Sequence, residues 1–550
     1  MNKARTIAVI PVRGGSKGIP RKNARLLNGR PLLSYSIERA LACGRFDDVV
    51  VSTEDEELAH LAARYGASTV ERPMALADDK TTLDDVVVDA VVRYEKLHGC
   101  EVGHVATIQA TSPLLQSSTI ARAVDVCLDE GRDTVLTVVN ETHLAWTRGA
   151  DGALIPDYTA RLNRQELPPR YKETGAVVVC SRAQIDAGTR FGENISIVEV
   201  DKRESVDIDD RYDWWIAEKQ LARKRLVFRV DGYRSIGMGH VYRTLTLADY
   251  KLDHDVSFVL RDVSDVAIKL LRSRHYPVVV FEGDAEAEAA AVLSQSPDII
   301  VNDRLDTDLA YMQALRGAFS GRVVNFEDLG DGARLADAVI NEMYLEKKAV
   351  PGAFVGHEYV CLRDEFYTTS PKPFAERVGH VLLIFGGTDP AGLTEKTLGW
   401  LLPHLDKEVA VTVILGPGKT DTVEIEALCE ATPIAVELVR QTAIITRYMA
   451  RADVAITSGG RTVFELASLG VPMIVVNQNE RENTHNFANS APGVINLGLG
   501  TELQKATFLE TFSELEASKI LRKKMRDSLL MCDLRSGMDR VWDIITGRSH

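Results

Sequence analysis

The sequence predicts an α/β protein made of three parallel-sheet layers in series, at 1–225, 226–372 and 373–550. Three observations predict it. Short apolar runs alternate with amphipathic helical runs along the chain, the pattern of parallel strands joined by crossover helices. The pattern restarts at Leu226, and again at His380 after a charged, proline-containing stretch at 370–377. Each layer opens with a strand that runs into a glycine-rich loop, the arrangement by which doubly wound sheets bind phosphate.

In the first layer, strand 6–12 leads into Arg13-Gly14-Gly15-Ser16-Lys17-Gly18-Ile19-Pro20-Arg21-Lys22-Asn23. A helix follows from about residue 31, with Leu32, Leu33, Ile37, Ala40 and Leu41 on one face. Strand 49–52, helix 54–65 and strands 104–109, 134–139 and 176–180 continue the alternation. Ser205-Val206-Asp207-Ile208-Asp209-Asp210 is predicted as a strand end, with Asp207 and Asp209 on one face and Ile208 buried behind them. Trp214, Trp215 and a helix to 224 close the layer, and Ala222-Arg223-Lys224-Arg225 forms a basic joint.

The second layer has strands at 226–230, 256–260, 278–281, 299–303 and 323–326, with a helix after Gly239-His240 that runs to about 249. The third has strands at 380–385, 411–416, 454–457 and 473–476. Two successive doubly wound halves with glycine loops at equivalent strand ends imply a cleft between them. Residues 501–550 read as a helical tail that no motif explains.

A chain of 550 residues is too long for one core. Its net charge of −14 excludes general affinity for nucleic acid, so any anion binding falls to local basic loops. No apolar run is long enough to span a membrane, and the first residues lead into a strand rather than a signal peptide. Seven scattered cysteines without a CxxC pair suit a reducing cytoplasm.

The first glycine loop is not a Walker A motif, because the GxxxxGK[ST] spacing is absent. Arg13, Lys17, Arg21 and Lys22 around three glycines nevertheless make a phosphate cradle. Gln109-Ala110-Thr111-Ser112-Pro113 leaves a strand with groups suited to a base or sugar. Arg164-Gln165-Glu166-Leu167-Pro168 reads by itself as a solvated surface loop, and beside the other stretches it offers a cation for an acidic sugar. Asp207 and Asp209 on one edge read either as a solvated acidic strand end or, beside the upstream loop, as a Mg²⁺ seat, since Mg²⁺ takes few protein oxygens and completes its shell with water and phosphate.

Together these residues resemble the CMP-sialic acid synthetase (acylneuraminate cytidylyltransferase) family, over nearly all of 1–220. The resemblance implies a nucleotide-diphospho-sugar transferase-like, Rossmann-like domain. It also implies that CTP and a nonulosonic acid give a CMP-sugar and pyrophosphate, with Mg²⁺. Arg13, Gly14, Gly15, Ser16, Lys17, Lys22 and Asn23 would hold CTP, with Arg13 and Lys22 acting in catalysis. Gln109, Arg164 and Gln165 would face the acid, and Asp207 and Asp209 the metal. A homo-oligomer formed through this domain is expected. Glu173-Thr174-Gly175-Ala176 stands where many members have Asn-Gly-Ala.

In the second layer, Gly237-Met238-Gly239-His240 starts a helix, with Arg243 one turn on. A helix amino terminus favours the neutral imidazole, so His240 is a candidate general base. In the third layer, Ser458-Gly459-Gly460-Arg461-Thr462 at a helix start makes a diphosphate cradle, with Glu465 one turn in for ribose hydroxyls. Glu465 reads equally well as a capping glutamate. Asn477-Gln478-Asn479-Glu480 and Asn483-Thr484-His485-Asn486 form a polar run beside the same cleft.

Residues 226–500 resemble the UDP-sugar hydrolase of the pseudaminic acid pathway and, more distantly, the peptidoglycan N-acetylglucosaminyltransferase, which shares a GT-B fold. The matching residues are Arg229-Val230-Asp231, Ile236-Gly237, Gly239-His240, Arg243, Phe385-Gly386-Gly387-Thr388-Asp389-Pro390, and Ser458 through Glu465 to Gly470-Val471-Pro472. The resemblance implies that Gly239, Gly386, Gly387, Ser458, Gly459, Gly460, Arg461, Thr462 and Glu465 bind the UDP part of a UDP-sugar. His240 would then activate water. The chain therefore reads as a bifunctional enzyme of nonulosonic sugar biosynthesis. A glycosyltransferase or a non-catalytic nucleotide-sugar sensor is the alternative for its second part.

Overall fold

The structure is a computed structural model and describes residues 4–16, 18–78, 80–233, 237–344, 352–416, 418–440, 442 and 444–548. Lys17 and Ile236 lie outside the described residues. The chain divides into two compact units, 1–223 and 224–550.

The first unit is built on a seven-stranded sheet ordered Ile195–Glu199, Thr134–Asn140, Tyr171–Ser181, Val102–Ile108, Arg5–Pro11, Asp48–Thr53, Ser68–Glu71. All neighbours are parallel except Tyr171–Ser181, which runs antiparallel to both of its own. Alternation along the central strand decides what each face buries. Ala8 and Ile10 pack with Leu33, Ile37 and Ala40 of helix Leu32–Ala42. Ile7 and Val9 pack with Val87, Ala90, Val91 and Tyr94 of helix Leu83–His98. With both faces covered, the glycine loop is left at the carboxyl end of the interior strand Arg5–Pro11.

Residues 205–210 are not a strand. Asp210 caps helix Arg211–Leu221, accepting from the Tyr212 and Asp213 amides, and Asp213 returns the bond to the cap backbone. This capping box turns the chain into the helix, and no ladder partner is left for the segment. Ile208 is nevertheless buried, beside Ile19, Leu27 and Trp214, although no strand alternation places it there.

The second unit contains two sheets. The first is ordered Val278–Phe281, Asp255–Arg261, Arg225–Val230, Ile299–Asp303, Arg322–Phe326, Ala338–Asn341, Ala353–Val355. The other is ordered Val436–Arg440, Ala410–Leu415, His380–Ile384, Val454–Thr457, Met473–Asn477, Val494–Leu499. Every pairing in both is parallel. Counted within each half, the order is 3-2-1-4-5-6, the Rossmann order, with a seventh strand added at the outer edge of the first, so this unit is a GT-B-type pair of halves. The strand order reverses between the first and fourth strands, and the loops after those strands open a crevice there.

The tail is not uniform. Helices Lys505–Ala517 and Lys519–Leu530 pack on the carboxyl half through Phe508, Phe512, Leu515 and Met525. Helix Gly537–Thr546 instead packs on the amino half through Met538, Val541, Trp542 and Ile545. Gly537 permits that crossing, since a Cβ there would lie 2.2 Å from the Val360 carbonyl oxygen. By packing, the last helix is part of the amino half rather than of 373–550.

The core clusters of the first unit draw only on residues before 224, and those of the second only on residues after it. Fragments 1–223 and 224–550 should therefore each fold alone with a cooperative thermal transition. Scanning calorimetry checks this; a fragment 1–223 that melts without a transition contradicts it.

Candidate functional site

In the first unit a cavity of about 310 Å³ lies at the carboxyl edge of the sheet. Arg13, Gly15, Ser16, Lys22, Asn23 and Gln109 line it together with Arg72, Asp78, Thr81 and Thr111. Gly14 does not serve the cavity: its amide donates to Glu54 Oε1 at 2.8 Å. A Cβ on Gly14 would meet Asp55 Oδ2 at 2.2 Å, so this glycine is required for close packing. Asn23 Nδ2 donates to the Arg13 carbonyl at 3.2 Å and pins the loop on itself. Its Oδ1 is buried without a partner among the described residues.

Lys22 joins the loop to the acidic segment. Its ammonium donates to the Ile208 carbonyl and lies 3.8 Å from Asp209 Oδ1. Asp209 projects into solvent, whereas Asp207 is half-buried and its Oδ1 has no hydrogen-bond partner among the described residues. Burial raises the Asp207 carboxyl above its ordinary range; Thr111 opposes the shift and neighbouring Asp209 adds to it. A buried, unpartnered carboxylate oxygen beside a second carboxylate is a donor set that a small divalent cation satisfies. Among the described residues no cluster of three or more His, Cys, Asp or Glu suits a metal, so two carboxylates are what the first unit offers.

Arg164 and Gln165 are not brought to this cavity. They lie in an exposed turn, Arg164–Glu166, beyond a two-stranded arm of Trp146–Arg148 and Leu154–Pro156. Gln109 is brought there, with Gly175 close against its side-chain amide. Gly175 has φ +70°, a conformation that favours glycine at this approach. Arg72 was not singled out from the sequence. It follows strand Ser68–Glu71, donates to the Ser52 carbonyl at 2.7 Å, and is largely buried at the cavity wall.

In the second unit a cleft of about 810 Å³ is lined by both halves. From the amino half come Gly237, Gly239, His240, Arg243 and Glu327; from the carboxyl half come Gly386, Gly387, Ser458, Gly460, Arg461, Thr462 and Glu465. Gly459 is not on the lining: a Cβ there would meet Asn477 Oδ1 at 2.2 Å, so it serves strand–loop packing. Of the polar run, Gln478 and Asn479 reach the cleft, together with Arg481 and Glu482 between its two parts. His485 is buried outside it, and burial pushes its ring down to about 4.

His240 is the second residue of helix Gly239–Tyr250, and its Nδ1 lies 2.7 Å from Asp303 Oδ1. Asp303 ends the fourth strand and is wholly buried. Arg243, one turn after His240, donates from Nε to Asp303 Oδ2 at 2.7 Å, and from Nη1 to Glu342 Oε1 at 2.9 Å and to Glu327. Burial alone would raise Asp303, but Arg243 and His240 outweigh it and hold the carboxyl at about 2.

Arg461 is not free for a diphosphate. Its Nη1 is bound to Glu342 and its Nη2 to the Cys361 carbonyl at 2.7 Å. Burial, then the charge of Arg243, pushes its guanidinium down to about 10. Glu465 is not a cap; its Oε1 accepts from Arg363 Nε at 3.0 Å. The donors left for a diphosphate are the Ser458 and Thr462 hydroxyls and the amides of this helix start. Asp303, Glu327, Glu342 and Arg363 escaped the sequence reading. The first three share one signal: each stands at, or just after, the end of a buried strand of the amino half.

Glu482, at the rim, accepts from the Gln478 amide at 2.8 Å, yet burial raises its carboxyl to about 7. The folded protein then binds a proton on Glu482 at a pH where an unfolded chain, near about 4.3, has released it. Stability from this group is present below about pH 4.3 and falls as pH rises towards 7. Glu482→Gln should therefore melt higher than the parent at pH 8 and show a shallower decline between pH 5 and 8. Parallel melting curves for the two proteins contradict it.

Each unit thus has one such cavity, the first with a basic loop near two carboxylates, the second with a histidine and a glycine-rich helix start. Comparison with known proteins assigns each unit to a class. The family profile described as Cytidylyltransferase matches residues 7–223, and that of the Glycosyltransferase family 28 C-terminal domain matches 381–515. N-acylneuraminate cytidylyltransferase A of Danio rerio is 30% identical over 303 residues, 52% of this chain and 67% of that protein. CMP-N,N'-diacetyllegionaminic acid synthase of Legionella pneumophila is 31% identical over 227 residues, 40% of this chain and 96% of that one. N-acylneuraminate cytidylyltransferase of Oncorhynchus mykiss is 32% identical over 227 residues; there the chain spans 51% of the relative's length. The chain belongs to the acylneuraminate cytidylyltransferase family through its first unit. Its second unit carries a glycosyltransferase-type domain.

Proposed function

We propose that the first unit transfers a cytidylyl group from CTP to a nonulosonic acid, and that the second releases UDP from a UDP-sugar. The observation that supports the first activity is the single cavity joining the loop cations Arg13 and Lys22 to Gln109. Its acidic neighbour is carried on Lys22 itself, through Ile208 and Asp209. The sugar hydroxyl attacks the α-phosphorus, the bond to the β-phosphate oxygen breaks, and pyrophosphate leaves. Arg13 and Lys22 stabilise the charge that develops on the phosphates, and Gln109 orients the acid. Mg²⁺ held by Asp207 and Asp209 would add neutralising charge to the triphosphate.

The names of the relatives, one for acylneuraminate and one for diacetyllegionaminic acid, support an acylated nonulosonic acid as the substrate class. Trp146, Leu154 and Ile155 are exposed on the two-stranded arm that precedes the Arg164 turn. The first unit therefore pairs with a second copy through that arm. Among the described residues no helix is long and apolar enough to cross a membrane, and the enzyme acts in the cytoplasm, where CTP is available.

In the second unit, His240 is the base that takes a proton from water as it attacks the sugar carbon bound to UDP. Its engaged nitrogen is Nδ1, which leaves Nε2 for water. The glycosyltransferase profile over 381–515 favours a second reading, transfer of the sugar to an acceptor hydroxyl by the same base. The test is a pair of assays on purified full-length protein. Pyrophosphate should form from CTP and Mg²⁺ only when a nonulosonic acid is added. UDP should be released from a UDP-linked deoxy-diacetamido sugar with no acceptor present. Pyrophosphate without acid, or UDP release only with an acceptor alcohol, rejects the corresponding half.

A further inference from the structure

We infer that Asp303 is the positioning residue for His240: it accepts the Nδ1 proton, fixes the tautomer, and keeps the basic Nε2 towards the cleft. The inference rests on the reading of His240 as the base of the second unit.

Topology brings the pair together. His240 follows the loop after the first strand of the amino half and Asp303 ends the fourth, so they meet where the strand order reverses. At 2.7 Å an ionised carboxylate and an unprotonated Nδ1 would set two lone pairs against each other. The proton must therefore lie on Nδ1, and a neutral imidazole then keeps its free lone pair on Nε2. Nε2 makes no hydrogen bond among the described residues.

Asp303 is itself held on both oxygens by Arg243, and Arg243 is held in turn by Glu327 and Glu342. Among the described residues the charged groups facing the pair are Arg243 from His240's own helix, whose Nη2 also lies 3.4 Å from Nδ1, Glu327 and Glu342 from the next two strand ends, and Arg461 from the carboxyl half. An arginine gripped by three buried carboxylates cannot swing away, so Asp303 stays ionised and still. When water attacks, its oxygen forms the bond to the sugar carbon and the bond to UDP breaks with its electron pair on the diphosphate oxygen. The water proton goes to Nε2. The imidazolium then rests on Asp303 until the proton passes to solvent.

The experiment is Asp303→Asn in the full chain, with three readouts. The rate of UDP release from a UDP-linked deoxy-diacetamido sugar should fall on the order of 10²–10⁴-fold, because an amide can donate to Nδ1 and leave the proton on Nε2. Affinity for UDP itself should change less than about twofold, since Asp303 touches no nucleotide contact. Nitrogen-15 NMR of the His240 ring should show the Nδ1–H tautomer in the parent and the Nε2–H tautomer in the variant. Normal turnover by Asp303→Asn, or an Nε2–H ring in the parent, overturns the inference. If Asp303→Asn does not fold, the tautomer in the parent protein decides alone. If His240→Asn turns over normally, the base reading fails, and the tautomer still reports whether Asp303 orients the ring.

Discussion

His240→Asn should lower acceptor-free UDP release by about 10²–10⁴-fold while UDP binds as before. The asparagine can still meet Asp303, but it offers no basic nitrogen to water. Binding should persist because the Ser458 and Thr462 hydroxyls, with the helix-start amides, come from the other half. Glu465→Ala should behave in the opposite way. It removes a cleft carboxylate and leaves Arg363 with Glu365 alone, and should weaken UDP binding by about 1–3 kcal/mol, with less effect on turnover at saturation. Release assays beside calorimetric titration with UDP separate the two. A His240→Asn protein that binds UDP poorly yet turns over normally when saturated would make the histidine a nucleotide contact.

Asp207→Asn should cut cytidylyl transfer by at least about a hundredfold. Its Oδ1 is the carboxylate oxygen of this pair that is buried and unpartnered, and the amide that replaces it brings no charge to a cation. Asp209→Asn should cost less, because that side chain is 81% exposed and water screens its charge. Since burial and Asp209 raise the Asp207 carboxyl, transfer should decline on the acid side at a higher pH than an ordinary aspartate would set. Steady-state rates over pH at saturating Mg²⁺ check both statements; near-normal turnover by Asp207→Asn would reduce the carboxylate to a structural role. UDP release should be unchanged in either variant, since the two sites lie in different units.

Much of the architecture was legible because central strands of parallel sheets are buried on both faces and read as unbroken apolar runs. Thus 226–230, 299–303 and 380–385 stood out, and the glycine loops marked the binding edge. The strands Ala338–Asn341, Ala353–Val355, Val436–Arg440 and Val494–Leu499 did not, since they are short or only partly buried. The strand at 205–210 was a misreading of Asp210 and Asp213, whose three-residue spacing belongs to a helix cap. Single residues at loop ends, such as Lys22, Gln109 and His240, could be found because their neighbours in sequence explain their placement.

Partnerships were harder. Arg461 looked like a phosphate ligand until Glu342, 119 positions away, was seen to hold it. Glu465 needed Arg363, and His240 needed Asp303, each from a different strand or loop. Such pairs are set by the order in which strands lie in the sheet, which local pattern does not specify. What pattern does offer is the row of carboxylates at successive strand ends, Asp303, Glu327 and Glu342, on the edge where a doubly wound sheet binds its ligand.

The most direct test of the central claim is phosphorus-31 NMR of the full-length protein with CTP, Mg²⁺ and an N-acylated nonulosonic acid. A phosphodiester signal of a CMP-linked sugar and a pyrophosphate signal should grow in equal amounts, and neither should grow when the acid is left out. CTP that stays intact with every such acid offered, or that yields pyrophosphate and free CMP alone, would contradict the assignment.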